Sequence, residues 1–182
     1  MIKAVPTYVA FLRAINLGAT RKFPKDAIRS ATDAAGGREI ETYINTGNVR
    51  LTHSARSVGA VQKSLEKAYE AEAGFGVPTI VFTAAEIAAV AARGEELHAE
   101  HAPSGQHYVT LYATAPPAGA ARAVHDLAHP GEQVVVDGRA VYVLLDGDIH
   151  TSKLLTGKEF KALGQGTART IKVLRTVTEK WC

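Results

Sequence analysis

The order of apolar periodicities over the first 83 residues constrains this chain most. PTYVAFLRAI, Pro6 to Ile15, is a β-rich run that reads as a buried strand. FPKDAIRSATDAAGG follows as a helix, with Pro24 near its start and Gly36-Gly37 at its stop. IETYI and NVRLTH are short strands on either side of the turn residues Asn45, Thr46 and Gly47. Val58, Val61, Leu65 and Ala68 recur at helical spacing, and VPTIVFT closes the set as a strand. The order β-α-β-β-α-β is that of a ferredoxin-like split fold.

The second half repeats this grammar. QHYVTLYAT reads as a strand and PPAGAARAVHDLAH as a helix. EQVVVDGRAVYVLL reads as a hairpin folded at Asp137-Gly138. SKLLTGKEFKALG and TIKVLRTVTEKW read as helices, the last with Ile171, Leu174, Val177 and Trp181 on one face. At the end of the first half, Thr83 and Glu86 form a capping box ahead of an alanine-rich helix. The expected fold is therefore α+β: two tandem ferredoxin-like halves and a C-terminal helix. The expected boundaries are an N-terminal half over 1–93, a connecting loop over 94–105 and a C-terminal half over 106–182.

Composition agrees with a globular chain: 46% hydrophobic and 21% charged residues. Cys182 is the single cysteine, so no disulfide forms within the chain and a reducing compartment is permitted. The first residues lack signal-peptide order, and no apolar run approaches the roughly 18 residues of a membrane span. The expected location is cytoplasmic, without a membrane partner.

The net charge of +3 hides an asymmetry. Residues 1–50 hold eight Lys or Arg against four Asp or Glu, and residues 150–182 hold seven against two. The stretch between them is net negative. If the two ends met, they would form one basic face; solvated lysine-rich helices explain the same count.

Four motifs stand at characteristic separations: Arg13-Ala14-Ile15-Asn16-Leu17-Gly18, Thr42 to Val49 (TYINTGNV), Ser152-Lys153-Leu154, and Thr167-Ala168-Arg169-Thr170. In this order they resemble the bacterial domain of unknown function 1697 (DUF1697) family. The resemblance implies two related α+β halves and a set of positions, but no reaction. Ala14, Ala19, Thr46 and Thr170 stand where the family usually carries glycine, glycine, serine and asparagine.

The motif residues carry anion chemistry. Arg13 and Arg169 offer guanidinium forks suited to carboxylate or phosphate, and Lys153 adds a charge at a helix start. Asn16, Gly18, Thr46, Gly47, Asn48 and Thr167 add neutral hydrogen bonds or exposed backbone N–H groups. The leading expectation is an anionic small molecule or nucleotide bound between the halves by these nine residues. An enzyme acting on a phosphorylated or carboxylated metabolite comes second, with the cations stabilising charge. A nucleic-acid-binding accessory protein comes third. The bland reading stands beside all three: Gly47, Asn48 and Asn16 as turn and loop chemistry, Ser152 as a cap, Arg169 as an internal ion pair.

Several classes are excluded. Gly157-Lys158 lacks the upstream glycine of a phosphate loop, and Gly164-Gln165-Gly166 lacks a dinucleotide fingerprint. NVRLTH carries no aromatic, against an RNA-recognition sheet. His98, Glu100, His101 and His107 fit an exposed linker better than any zinc signature, and His125 and His129 lack the glutamate of a catalytic zinc helix. No metal is expected. The sequence identifies neither catalytic residues nor a cofactor, and it leaves the oligomeric state open.

Overall fold

The computed structural model describes residues 5–127 and 129–182. The expected first half begins, and the expected helix over 116–129 passes, through residues outside that range. The chain divides into two compact units, Met1–Ala88 with Val177–Cys182, and Ala89–Thr176.

In the first unit, β1 (Thr7–Leu12), α1 (Lys25–Ala34), β2 (Arg38–Tyr43), β3 (Asn48–Thr52), α2 (Val58–Ala73) and β4 (Thr79–Thr83) follow one another as the sequence predicts. The antiparallel sheet has the order β2-β3-β1-β4. β1 lies between two partners, and Tyr8 through Leu12 are all buried, which is why the run is apolar without alternation. Tyr8, Ala10 and Leu12 pack with Val49, Leu51 and Val81 from the neighbouring strands and with Ile28, Val61 and Leu65 from the two helices. Phe11, on the opposite face, meets Phe82 edge-on at 6.3 Å. The two helices are further joined by a 2.8 Å hydrogen bond between the Thr32 and Tyr69 hydroxyls. Burial pushes the Tyr69 phenol well above its ordinary range, so it remains a neutral partner there. Trp181 completes this unit from the far end of the sequence, donating from Nε1 to the Glu41 carboxylate at 3.1 Å.

The second unit repeats the sheet. β5 (His107–Leu111), α4 (Ala118–His125), β6 (Glu132–Asp137), β7 (Ala140–Leu145), the short helices α5 (Lys153–Thr156) and α6 (Lys158–Lys161), and β8 (Thr167–Thr170) form an antiparallel order β6-β7-β5-β8. Val124, Val141, Val143, Leu145 and Leu154 lie in its core. The segment 167–170, read from sequence only as a lead into the last helix, is the fourth strand and pairs with β5.

α3 (Ala84–His101) opens on the expected capping box: Thr83 N–H donates to Glu86 at 2.8 Å, and Glu86 N–H donates to the Thr83 hydroxyl at 3.2 Å. The helix then runs eight residues past the expected boundary, so most of the stretch 94–105 is helical rather than loop. Gly94 reads as a stop signal in sequence, yet it is a packing contact. A Cβ there would stand 2.5 Å from Ile171 Cδ1, at the start of α7 (Ile171–Trp181). One turn further along α7, Arg175 holds the Glu95 carboxylate through Nε and Nη2 at 2.9 and 2.8 Å.

The helical course of α3 also changes the role of the histidines. The His98 ring stacks on His107 with centroids 5.5 Å apart and planes within 5° of parallel. Their Nδ1 atoms are 3.3 Å apart, so one donates to the other. His107 is 5% exposed, and its Nε2 has no hydrogen-bond partner among the described residues. Burial, reinforced by the neighbouring His98, lowers the His107 pKa to about 4. The unfolded chain therefore takes up this proton first, near the ordinary value of about 6.5. Stability from this residue is complete above that pH and declines as pH falls toward 4, by up to about 3 kcal/mol. Urea unfolding of wild type and His107→Gln at pH 7 and pH 4.5 should show a steeper acid loss in wild type. Equal losses in the two proteins would contradict the assignment.

Candidate functional site

The antiparallel pairing of β1 with β3 puts the end of β1 and the β2–β3 turn at one end of the first sheet. Four sequence-predicted residues, Asn16, Thr46, Gly47 and Asn48, meet there, and Arg13 and Gly18 lie on the chain that leaves β1. The Leu12 N–H donates to the Gly47 carbonyl at 2.8 Å. Asn16 bridges the two segments, donating from Nδ2 to the Asn45 carbonyl at 2.9 Å and to the Phe23 carbonyl at 3.2 Å. Its Oδ1 accepts from the Phe23 N–H at 2.9 Å. Asn48 is fully buried and donates to the Tyr43 carbonyl at 2.9 Å and the Thr46 hydroxyl at 3.2 Å. Arg13 is half-buried, and its N–H donates to the Pro78 carbonyl at 2.9 Å. Gly18 is exposed at φ +57°, with open space where a Cβ would stand. Asn16 and Asn48 thus clasp the loop and the turn together, while Gly18 faces solvent.

Left-handed backbone is concentrated here. Ala14, Asn16, Arg21 and Ile44 have φ of 57°, 53°, 53° and 53°. Arg21 stabilises its own loop: its guanidinium donates to the Gly76 carbonyl at 2.6 Å and lies 4.4 Å from the centre of the Phe75 ring.

Beside the clasp opens a hollow of about 490 Å³, lined by Lys25, Asp26, Arg29, Thr42, Ile44 and Asn45. Lys25 and Arg29 lie four residues apart on α1 and so share a face. Among the described residues neither pairs with a carboxylate. α1 starts at Pro24 without a side-chain cap, which leaves first-turn N–H groups at the same end. Sequence reasoning passed over both cations, and their i,i+4 spacing behind Pro24 was the available signal.

The remaining three predicted residues belong to the second unit, where Thr167 and Arg169 are engaged locally. At the start of α5, Leu154 N–H donates to the Glu132 carboxylate at 3.1 Å, and Leu155 N–H donates to the Ser152 hydroxyl at 3.1 Å. The Ser152 hydroxyl donates to the same carboxylate at 3.1 Å. An internal anion thus occupies the helix start, and Lys153 is exposed beside it. Thr167 and Arg169 are each 6% exposed on β8. Arg169 donates to the Thr167 hydroxyl at 2.8 Å and the Ala168 carbonyl at 2.9 Å, and burial lowers its pKa to about 10. Among the described residues no group of three His, Cys, Asp or Glu is arranged to hold a metal. No described helix is long and apolar enough to cross a membrane.

Gly47 fixes the clasp. It sits at φ +81°, and a Cβ there would stand 2.7 Å from Leu12 Cβ and 2.8 Å from Ile15 Cδ1. Gly47→Ala combines left-handed strain with overpacking and should cost about 2–4 kcal/mol in chemical unfolding. A loss below about 0.5 kcal/mol would show that the turn is not held this tightly.

The sequence profile described as "Protein of unknown function (DUF1697)" matches residues 5–142. No curated protein matches the chain. Among solved structures, the chain is similar to the conserved bacterial protein SP0830 from Streptococcus pneumoniae. That match has a TM-score of 0.74 and 18% identity, and it covers 97% of this chain and 98% of the other. At that identity the likeness establishes the fold alone. The profile match spans most of the chain, and the two sheets have the tandem architecture that the motifs implied: the protein belongs to the DUF1697 family.

Proposed function

We propose that the first unit binds an anionic small molecule at the hollow beside the clasp. The observation that carries this reading is the pair Lys25 and Arg29, two cations on one helix face with no carboxylate partner among the described residues. Exposed cations left without an internal partner are free to meet a ligand's phosphate or carboxylate. Asp26 also lines the hollow, so its net charge is a single positive unit. That suits one anionic group better than a polyanion. The first-turn N–H groups of α1 and the dipole behind them favour the same sign. Asn16, Thr46, Gly47 and Asn48 form the clasp next to this surface, and Arg13 and Gly18 belong to the chain that leaves β1 beside it.

Calorimetric titration with inorganic phosphate and with phosphorylated and carboxylated metabolites tests the reading. Lys25→Ala and Arg29→Ala should each weaken binding about tenfold, the loss of one charge-assisted hydrogen bond. Both side chains are exposed, so thermal stability should move by no more than about 0.5 kcal/mol. Binding that survives the double substitution, or that no anion in the panel shows, would refute the site.

A further inference from the structure

Ile44 is the residue that anion binding alone does not explain. It follows β2 directly, is 47% exposed and has φ +53°. A β-branched side chain in the left-handed region is a backbone outlier, and such strain persists where function keeps it. Core packing gives no reason for this one, because nearly half of the side chain faces solvent. An asparagine would adopt the same backbone readily. Ile44 instead forms an apolar ledge on the same hollow that holds Lys25 and Arg29. The same hollow is lined by Thr42 and Asn45, whose hydroxyl and side-chain amide have no hydrogen-bond partner among the described residues. The volume of about 490 Å³ lies within the range of small-ligand sites.

Resting on the anion reading above, we infer that the ligand class is a nucleoside monophosphate. The phosphate meets Lys25 and Arg29, the ribose hydroxyls meet Thr42 and Asn45, and one face of the base lies on Ile44. Each part of the hollow then has a chemical counterpart. A bare sugar phosphate leaves the Ile44 ledge in water, and inorganic phosphate uses the cations alone. The apolar contact is what sets the ligand class, so Ile44 is a specificity residue held in an unfavourable backbone conformation.

The test is calorimetric titration of the full chain with inorganic phosphate, ribose 5-phosphate and adenosine 5′-monophosphate, repeated on Ile44→Asn. Wild type should bind the nucleotide at least about tenfold more tightly than ribose 5-phosphate. Ile44→Asn should abolish that difference and leave phosphate affinity unchanged. It should also raise the melting temperature by roughly 2–4 °C, because asparagine relieves the strain. A structural role for Ile44 would instead lower it. The inference is overturned if the nucleotide binds no better than ribose 5-phosphate. It is equally overturned if Ile44→Asn weakens all three ligands alike, if it lowers the melting temperature, or if an oligonucleotide outcompetes the monomer with a steep salt dependence. If none of the three ligands binds, this inference falls, and the anion site falls with it only if the carboxylated metabolites of the wider panel do not bind either. If phosphate binds without preference for the nucleotide, only this inference falls.

Discussion

The first unit depends on the position of β1 between β3 and β4. Two antiparallel partners fix its register, bury both of its faces, and bring its exit to the end of the sheet where β2 turns into β3. The backbone bond from Leu12 to Gly47 closes that juxtaposition, and the Asn16 amide extends it across the loop. With those contacts in place the loop has few conformations left. Four residues other than glycine then adopt left-handed backbone within or beside the clasp. For Ala14, Asn16 and Arg21, the three in the loop that leaves β1, the buried sheet that the clasp closes offsets the local cost.

The second unit uses the same end of its sheet differently. Tyr112, just past β5, donates to the Arg139 carbonyl in the β6–β7 turn at 2.9 Å, the counterpart of the Leu12 bond. There the Arg139 side chain returns to the Tyr112 carbonyl at 3.0 Å. The short helix α5 likewise takes its anion from inside the unit, as Glu132. In the first unit, α1 starts without a side-chain cap and its cations have no carboxylate partner among the described residues. By topology α1 corresponds to α4, and both start behind a proline without a side-chain cap; α2 corresponds to α5, and both start behind a capping serine.

Much of this architecture is legible in the residues. The switch from period two to period 3.6, the Asp137-Gly138 turn and the Thr83–Glu86 box locate most elements because each is a local signal. Gly94 misleads because glycine punctuates loops and also permits close helix packing, and only Ile171, 77 positions later, decides between them. The strand at 167–170 is short, and its pairing with β5 is non-local. The clasp was visible as a motif, but its asparagines read equally as ligand contacts and as turn chemistry. Hydrogen-bond partners 29 and five residues away show that both amides serve the fold. Lys25 and Arg29 were missed for the opposite reason: ordinary exposed cations on an amphipathic helix carry no signal until a hollow forms beside them.

The allotment of residues 177–182 to the first unit has a consequence for how the protein is made. Val177 and Trp181 are buried, and the indole of Trp181 is tied to Glu41 on β2. A ribosome that has released residues 1–88 has therefore not yet delivered everything their unit contains. Translating residues 89–176 at about 5–20 residues per second takes roughly five to twenty seconds. Through that interval the first unit lacks its closing indole, and the codons for residues 177–182, rather than the first ninety, determine when it becomes whole.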